Sequence, residues 1–229
     1  MAKKGLVPKV VRPWIYILAA IAGIGFLRGR TGGKKRILIL GDSQSQTHNT
    51  RLQPTPKAAA YTLGPSIAKY LRGKGHEATA VGVAGRGVRS YLGAKPGKLA
   101  LSDIFAKHKP EVLIVELGGN DAMFLSAKGG RMSESFYKRK LSEFVGKAKE
   151  AGIKKIIWLG PSYVDDAAYN ALRLKIAKWQ SEVLPGLGVS WSSQQAITKP
   201  LKRRDGLHHG PSGYAAWTTK VAPTLSRQV

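Results

Sequence analysis

Five short apolar runs constrain the fold more than any other feature of this chain. Residues 36–40 (RILIL), 78–83, 112–117 (VLIVEL), 156–159 and 189–191 are long enough for strands and too short for independent helices. Three of them lead directly into glycine-containing turns: Gly41-Asp42-Ser43, Ala84-Gly85-Arg86-Gly87 and Gly118-Gly119-Asn120. The runs are continuous rather than alternating, which is the pattern of strands covered on both faces. Helical spacing fills the intervals. A helix is expected from Pro65 through Leu71, stopping near Gly73 and Gly75. Another spans 132–151, with Tyr137, Leu141, Phe144, Val145 and Ala148 on one face and Gly152 as its terminator. Ala168, Leu172, Ile176, Trp179 and Val183 mark a third, and 212–225 a fourth, with a break expected at Pro223. Residues 44–60, with Pro54 and Pro56, read as an extended loop whose length and polarity would suit a lid. Strands alternating with helices predict an α/β protein with a doubly wound parallel sheet and ligands at the carboxyl ends of its strands.

The 229 residues suffice for one domain with a sizeable core. The chain has no Cys, which excludes disulfides, cysteine metal sites and thiol catalysis. Its formal net charge is +25, and nine of the 38 Lys and Arg lie in the first 36 residues, where there is no acid. Within that arm residues 14–27 (WIYILAAIAGIGFL) are uncharged and almost wholly apolar. A helix of that length measures roughly 21 Å against a bilayer core of about 30 Å, so spanning would require Val10 and Val11 as well, with Arg12 snorkelling. Arg28-Gly29-Arg30 follows where a signal peptide would carry a cleavage site. The arm, residues 1–35, is therefore read as an uncleaved membrane anchor or interfacial helix, and residues 36–229 as the folded domain. Basic residues on both flanks leave its orientation open. Beyond residue 36 the domain still carries 29 basic against 13 acidic residues. That balance favours anionic partners: acidic glycans, phospholipid headgroups or, through charge alone, nucleic acid. Nothing in the sequence sets the oligomeric state.

Ser43 follows the first strand at a turn that would point its hydroxyl out of the sheet edge. A free hydroxyl is a weak nucleophile and needs a base, and the base an orienting group. Asp205 and His208, three residues apart near the C-terminus, could supply both. Gly85 offers a backbone N–H that a substrate can approach closely, and Asn120 offers a side-chain amide. Each piece also has an ordinary reading as a turn, a cap or an ion pair. Their order along the chain, three of them at strand ends, is what joins them.

These blocks resemble the SGNH (GDSL-type) hydrolases, a family of esterases, lipases and carbohydrate deacetylases. The matching segments are ILILGDSQS around Ser43, VGVAGRGVRS around Gly85, VELGGND around Asn120 and DGLHHGPSGY around Asp205 and His208. The resemblance covers residue 36 to the C-terminus and leaves the arm unexplained. It implies a flavodoxin-like three-layer α/β/α fold, with Ser43 as nucleophile, His208 as general base and Asp205 orienting it. The Ser43 amide, Gly85 and Asn120 would hold the oxyanion. It implies no metal or organic cofactor. Gln44 stands where the family often has Leu and would alter the pocket. His209 competes for the role of base, but only His208 has the family's spacing from Asp205. Asp121 is expected to brace a loop, and His48, His76 and His108 lack metal-ligand spacing. Arg86, Arg203 and Arg204 are candidates for binding an anionic substrate, and Tyr163 either lines the pocket or packs.

The expected function is a serine esterase acting through an acyl-enzyme on O-acetyl groups of a cell-envelope glycan such as peptidoglycan. A lipid acyl ester, or acyl transfer by the same triad, is the nearest alternative. A noncatalytic basic membrane-associated protein, such as a virion component retaining the fold, is the reading from another class. The expected location is the cell envelope, at a membrane.

Overall fold

A computed structural model describes residues 33–125 and 132–229. The apolar run at 14–27 lies outside the described residues, and among those described no helix is long and apolar enough to cross a membrane. The chain divides into a unit of residues 1–34 and one of residues 35–229. The second is a three-layer α/β/α sandwich.

Its five strands are β1 (Arg36–Gly41), β2 (Glu77–Gly82), β3 (Val112–Glu116), β4 (Lys155–Leu159) and β5 (Ser190–Ser192). All pair in parallel, in the order β2-β1-β3-β4-β5. This is the flavodoxin-like order that the resemblance implies, and each expected strand is present within about one residue of its expected limits. The helices are α1 (Pro56–Ala59), α2 (Leu63–Arg72), α3 (Val88–Leu92), α4 (Leu101–His108), α5 (Glu134–Glu150), α6 (Ala167–Val183), α7 (Gln195–Thr198) and α8 (Pro211–Gln228).

The continuous apolar runs bury both faces of the sheet, as parallel strands require. Leu38, Leu40, Leu113, Val115, Ile156 and Trp158 pack toward Tyr91, Phe105, Phe144 and Ile176. Their alternate neighbours Ile37, Ile39, Val112, Ile114, Ile157 and Leu159 pack toward Ile67, Leu71, Trp217 and Val221. From β1 the chain moves outward to β2, then crosses to β3 on the other side. The switch point, and with it the natural crevice for a ligand, therefore lies at the carboxyl ends of β1 and β3. In the register, Gly41 is paired with Gly82 on one side and Glu116 on the other.

Four details differ from the sequence reading. First, α2 begins at Leu63, two residues before Pro65, with the proline inside the first turn, where a missing N–H is harmless. Second, α8 continues through Pro223 to Gln228; Pro223 is only half-buried, so a carbonyl freed by the proline can turn to water. Third, α3 and α4 are too short for their periodicity to stand out. Fourth, residues 44–60 are tied down rather than free. Thr47 and His48 donate their amides to the Gly82 carbonyl at 2.8 and 2.9 Å, Thr55 donates to Thr47 at 2.8 Å, and α1 closes the segment.

Candidate active site

β1 ends at Gly41 and the chain tightens into a 3₁₀ turn, Ser43–Ser45, at the switch point. Asp42 caps it: Oδ1 accepts the Gln44 amide at 2.9 Å, and its carbonyl accepts the Ser45 amide at 3.1 Å. Glycine is required on either side. A Cβ on Gly82 would collide with the Ser45 carbonyl, and one on Gly41 with the Ser45 side chain. The turn can therefore lie flat against the sheet edge with Ser43 at its tip.

Ser43 Oγ lies 2.9 Å from His208 Nε2, and His208 Nδ1 lies 2.9 Å from Asp205 Oδ2. With the carboxylate accepting Nδ1–H, Nε2 is left to accept the Ser43 hydroxyl proton, which is the tautomer a general base needs. Asp205 Oδ1 also accepts the amides of Leu207 at 3.0 Å and His208 at 2.6 Å, so the loop fixes carboxylate and imidazole as one unit. Gly206, at φ +76°, makes that turn feasible. Partial burial works against the Asp205 charge, but the two amides and the imidazole outweigh it and hold its carboxyl well below the usual carboxylate range. It stays ionised across the range in which an imidazole titrates.

The structure thus brings Ser43, Asp205 and His208 together, and it separates His209 from them. His209 is buried between the edges of Tyr214 and Trp217, with Nδ1 3.1 Å from the Lys202 carbonyl. It is a packing residue.

Asn120 Nδ2 donates to Asp42 Oδ2 and to the Arg86 carbonyl, both at 3.0 Å. One amide thereby ties together the turns after β1, β2 and β3. An oxyanion arriving here would share one of these hydrogens. Gly85 is exposed at φ +77°, in the neighbouring turn. Asp121 is buried and accepts the Val88 amide at 3.0 Å, bracing the loop as expected. Burial pushes its carboxyl up to about 6.

Several residues have roles the sequence did not disclose. Gln44 does not face a pocket: it is buried, donates to the Leu207 carbonyl at 3.1 Å and accepts the Tyr214 hydroxyl at 2.8 Å. It staples the nucleophile turn to the loop that carries His208. From α6, Tyr169 donates to the Gly119 carbonyl at 2.6 Å and Gln180 to the Leu117 carbonyl at 2.9 Å. Arg173 packs so closely that a Cβ on Gly119 would strike its guanidinium. The buried face of α6 is thus Asn170, Arg173, Ile176, Ala177 and Gln180, whereas Leu172, Trp179 and Val183 are only half-buried and Ala168 is exposed.

Two of the three candidate substrate arginines are corrected. Arg86 donates to the carbonyls of Leu99 and Lys98, both at 2.6 Å, and lies over the Tyr91 ring. Arg203 donates to Asp165 at 2.7 Å and to the carbonyls of Thr198 and Lys199, with its side chain only 6% exposed. Both guanidiniums clamp loops. Arg204, 66% exposed and 3.7 Å from Asp205, retains the capacity to meet a substrate. Tyr163 is half-buried, with Lys199 and Arg203 over its ring. Among the described residues no three His, Asp or Glu side chains cluster as metal ligands. His48 pairs instead with the Thr47 hydroxyl and His76 with the Lys35 amide.

Residues 98–200 match the family model described as a protein of unknown function, DUF459. A comparison with curated protein sequences gave no match. Among solved structures, the chain is similar to Axe2, an acetylxylan esterase from Geobacillus stearothermophilus. The identity is 18% over 85% of this chain and 94% of that one, with a TM-score of 0.62. It is similar too to LAE5, an α/β hydrolase enzyme from the metagenome of Lake Arreo, Spain, at 18% identity over 85% and 95% of the two chains and a TM-score of 0.61. Catalytic mutants of the acetylxylan esterase, in which an Asp, a Ser or a His is replaced by Ala, are also among the similar structures. At this identity the likeness establishes the three-layer fold. It agrees with the four blocks read from the sequence.

Proposed function

We propose that this chain, SGNH-type in its fold and in the order of its four blocks, is a carboxylic ester hydrolase that removes O-acetyl groups from a cell-envelope glycan. The observation that carries the reading is the unbroken chain of contacts from Ser43 through His208 to Asp205, 2.9 Å at each step.

On this reading the reaction runs through an acyl-enzyme. Ser43 Oγ attacks the ester carbonyl carbon while His208 Nε2 takes its proton. The carbonyl oxygen becomes an oxyanion, which on this reading the Ser43 and Gly85 amides and Asn120 Nδ2 receive. The C–O bond to the sugar then breaks, and the departing alkoxide takes the proton back from His208. Water, deprotonated by the same nitrogen, attacks acyl-Ser43, and the acid leaves as Ser43 recovers its proton.

Two features support a glycan of the envelope. The domain is strongly basic, with Arg204 exposed beside the triad, which suits an anionic polymer. The apolar run at 14–27 between basic clusters suits an arm that keeps the domain at a membrane. The similarity to an acetylxylan esterase favours acetate over a long acyl chain. The test is acetate release from O-acetylated peptidoglycan, acetylxylan and a short-chain lipid ester by the wild type and Ser43→Ala. Release fastest from the anionic glycan and absent in the variant supports the proposal, whereas preference for the lipid ester would overturn the substrate assignment. Competing acceptor alcohols distinguish hydrolysis from transfer, since transfer products exceeding free acetate would make the protein an acyltransferase.

A further inference from the structure

Beneath the nucleophile turn lie two carboxyl groups that the reaction described above does not use. Asp42 directly follows Gly41, whose register partner on β3 is Glu116. Both side chains are out of contact with water, at 2% and 0% exposure. Their partners are divided between turn and oxyanion site. Asp42 Oδ1 accepts the Gln44 amide and Oδ2 the Asn120 amide, while Glu116 Oε2 accepts the Ser45 hydroxyl at 3.2 Å. The two groups act on each other across the β1–β3 register, the Asp42 charge raising the Glu116 carboxyl. Glu116 Oε1 is buried with no hydrogen-bond partner among the described residues.

Charge balance settles what such a pair must hold. Arg173, itself fully buried, attracts both carboxyls but donates its hydrogen bond to Ser162 Oγ at 3.1 Å. One cation balances one carboxylate. Two neighbouring carboxyls out of water cannot both ionise, and one proton held between them relieves the repulsion. We propose that Asp42 and Glu116 share a single proton, and that the resulting Glu116-to-Asp42 hydrogen bond holds Asp42 as the anionic acceptor that orients the Asn120 amide toward the oxyanion. Both are positioning residues, and their role in turnover rests on the ester-hydrolase reading. Burial is the largest influence keeping the proton on Glu116, the Asp42 charge adds to it, and Arg173 opposes it. The other groups facing the pair are Tyr169 on α6, Tyr91 on α3, Tyr214 on α8, His208 and Asp121.

The experiment combines infrared spectroscopy with kinetics on the full chain. At about pH 8, where Asp121 is ionised, the wild type should retain a protonated-carboxyl band that Glu116→Gln lacks. Gln keeps a donor toward Asp42, so kcat should stay within about threefold, while Glu116→Met should lose about 10- to 100-fold in kcat at nearly unchanged KM. Activity of the wild type should fall at alkaline pH as the shared proton leaves, and that fall should be absent in Glu116→Gln. Absence of the band in the wild type, or equal damage by Gln and Met in folded protein, would overturn the proposal. If Glu116→Met does not fold, the band and the Gln pH profile decide alone. A band with no turnover on any ester would keep the shared proton but overturn the hydrolase reading, and the positioning role with it.

Discussion

The two halves of the site are built in opposite ways. Asp205 and His208 sit three residues apart on one loop, with side chains 43% and 27% exposed, held mainly by that loop's own amides. The platform under Ser43 and Asn120 is assembled from β1, β3 and α6, and its polar members Asp42, Glu116, Arg173 and Gln180 are 0–2% exposed. The acid–base limb must gain and lose a proton and exchange with water at each turnover. The platform must keep donors aimed where charge develops, which is most effective away from water. Disturbing the limb should therefore cost rate and little stability, whereas disturbing the platform should cost both.

The largest expected effect is on the limb. His208→Ala should lower kcat by about 10³-fold or more while leaving the melting temperature within a few degrees of wild type, as measured by steady-state kinetics and thermal unfolding. A comparable loss of stability would erase the contrast between the two halves.

That limb was legible from sequence because its geometry is local: spacing of three, a glycine between, and a serine at a strand end. The sheet was legible for a related reason, since both faces are buried and the apolar runs are unbroken. The platform was hidden by the same logic. Glu116 lies within VLIVEL and reads as part of a strand, yet it is an acid fully buried at the site. A carboxylate in an otherwise apolar parallel strand, one position before Leu-Gly-Gly, was the available signal. Arg173 and Gln180 escaped because helical periodicity counts apolar side chains, and this helix turns polar ones inward, Gln180 to the Leu117 carbonyl and Arg173 to the Ser162 hydroxyl. The roles of Arg86 and Arg203 depend on loops distant in sequence, so charge alone suggested substrate where the fold uses them as clamps.

Asp121 sharpens the comparison through pH. Its carboxyl is raised from 3.8 to about 6 in the folded protein, so the folded state binds the proton more readily than the unfolded one. The fold is consequently favoured below the unfolded value, and that advantage is lost as pH rises to about 6. Asp121→Asn should match wild type near pH 4 and exceed its stability above pH 6, by on the order of 3 kcal/mol, in denaturant unfolding at several pH values. A gap that does not change with pH would contradict the buried, protonatable carboxyl.

Gln44→Leu tests the staple between the halves. It leaves the Leu207 carbonyl and Tyr214 hydroxyl without their partner, at a cost of roughly 1–3 kcal/mol, and it frees the His208 loop. The expected result is lower kcat with KM nearly constant; a change in KM alone would return Gln44 to the pocket. The smallest effect belongs to Arg204→Ala, which should raise KM for an anionic glycan a few-fold, less so at high salt, and leave a neutral ester unaffected.

The central claim is that Ser43 is an activated nucleophile, and intact-mass analysis after treatment with a fluorophosphonate tests it most directly. The account predicts one covalent adduct per wild-type chain, mapped to Ser43, strongly slowed in His208→Ala and absent from Ser43→Ala. Folded wild-type protein that stays unmodified, or is modified equally in Ser43→Ala, would contradict it.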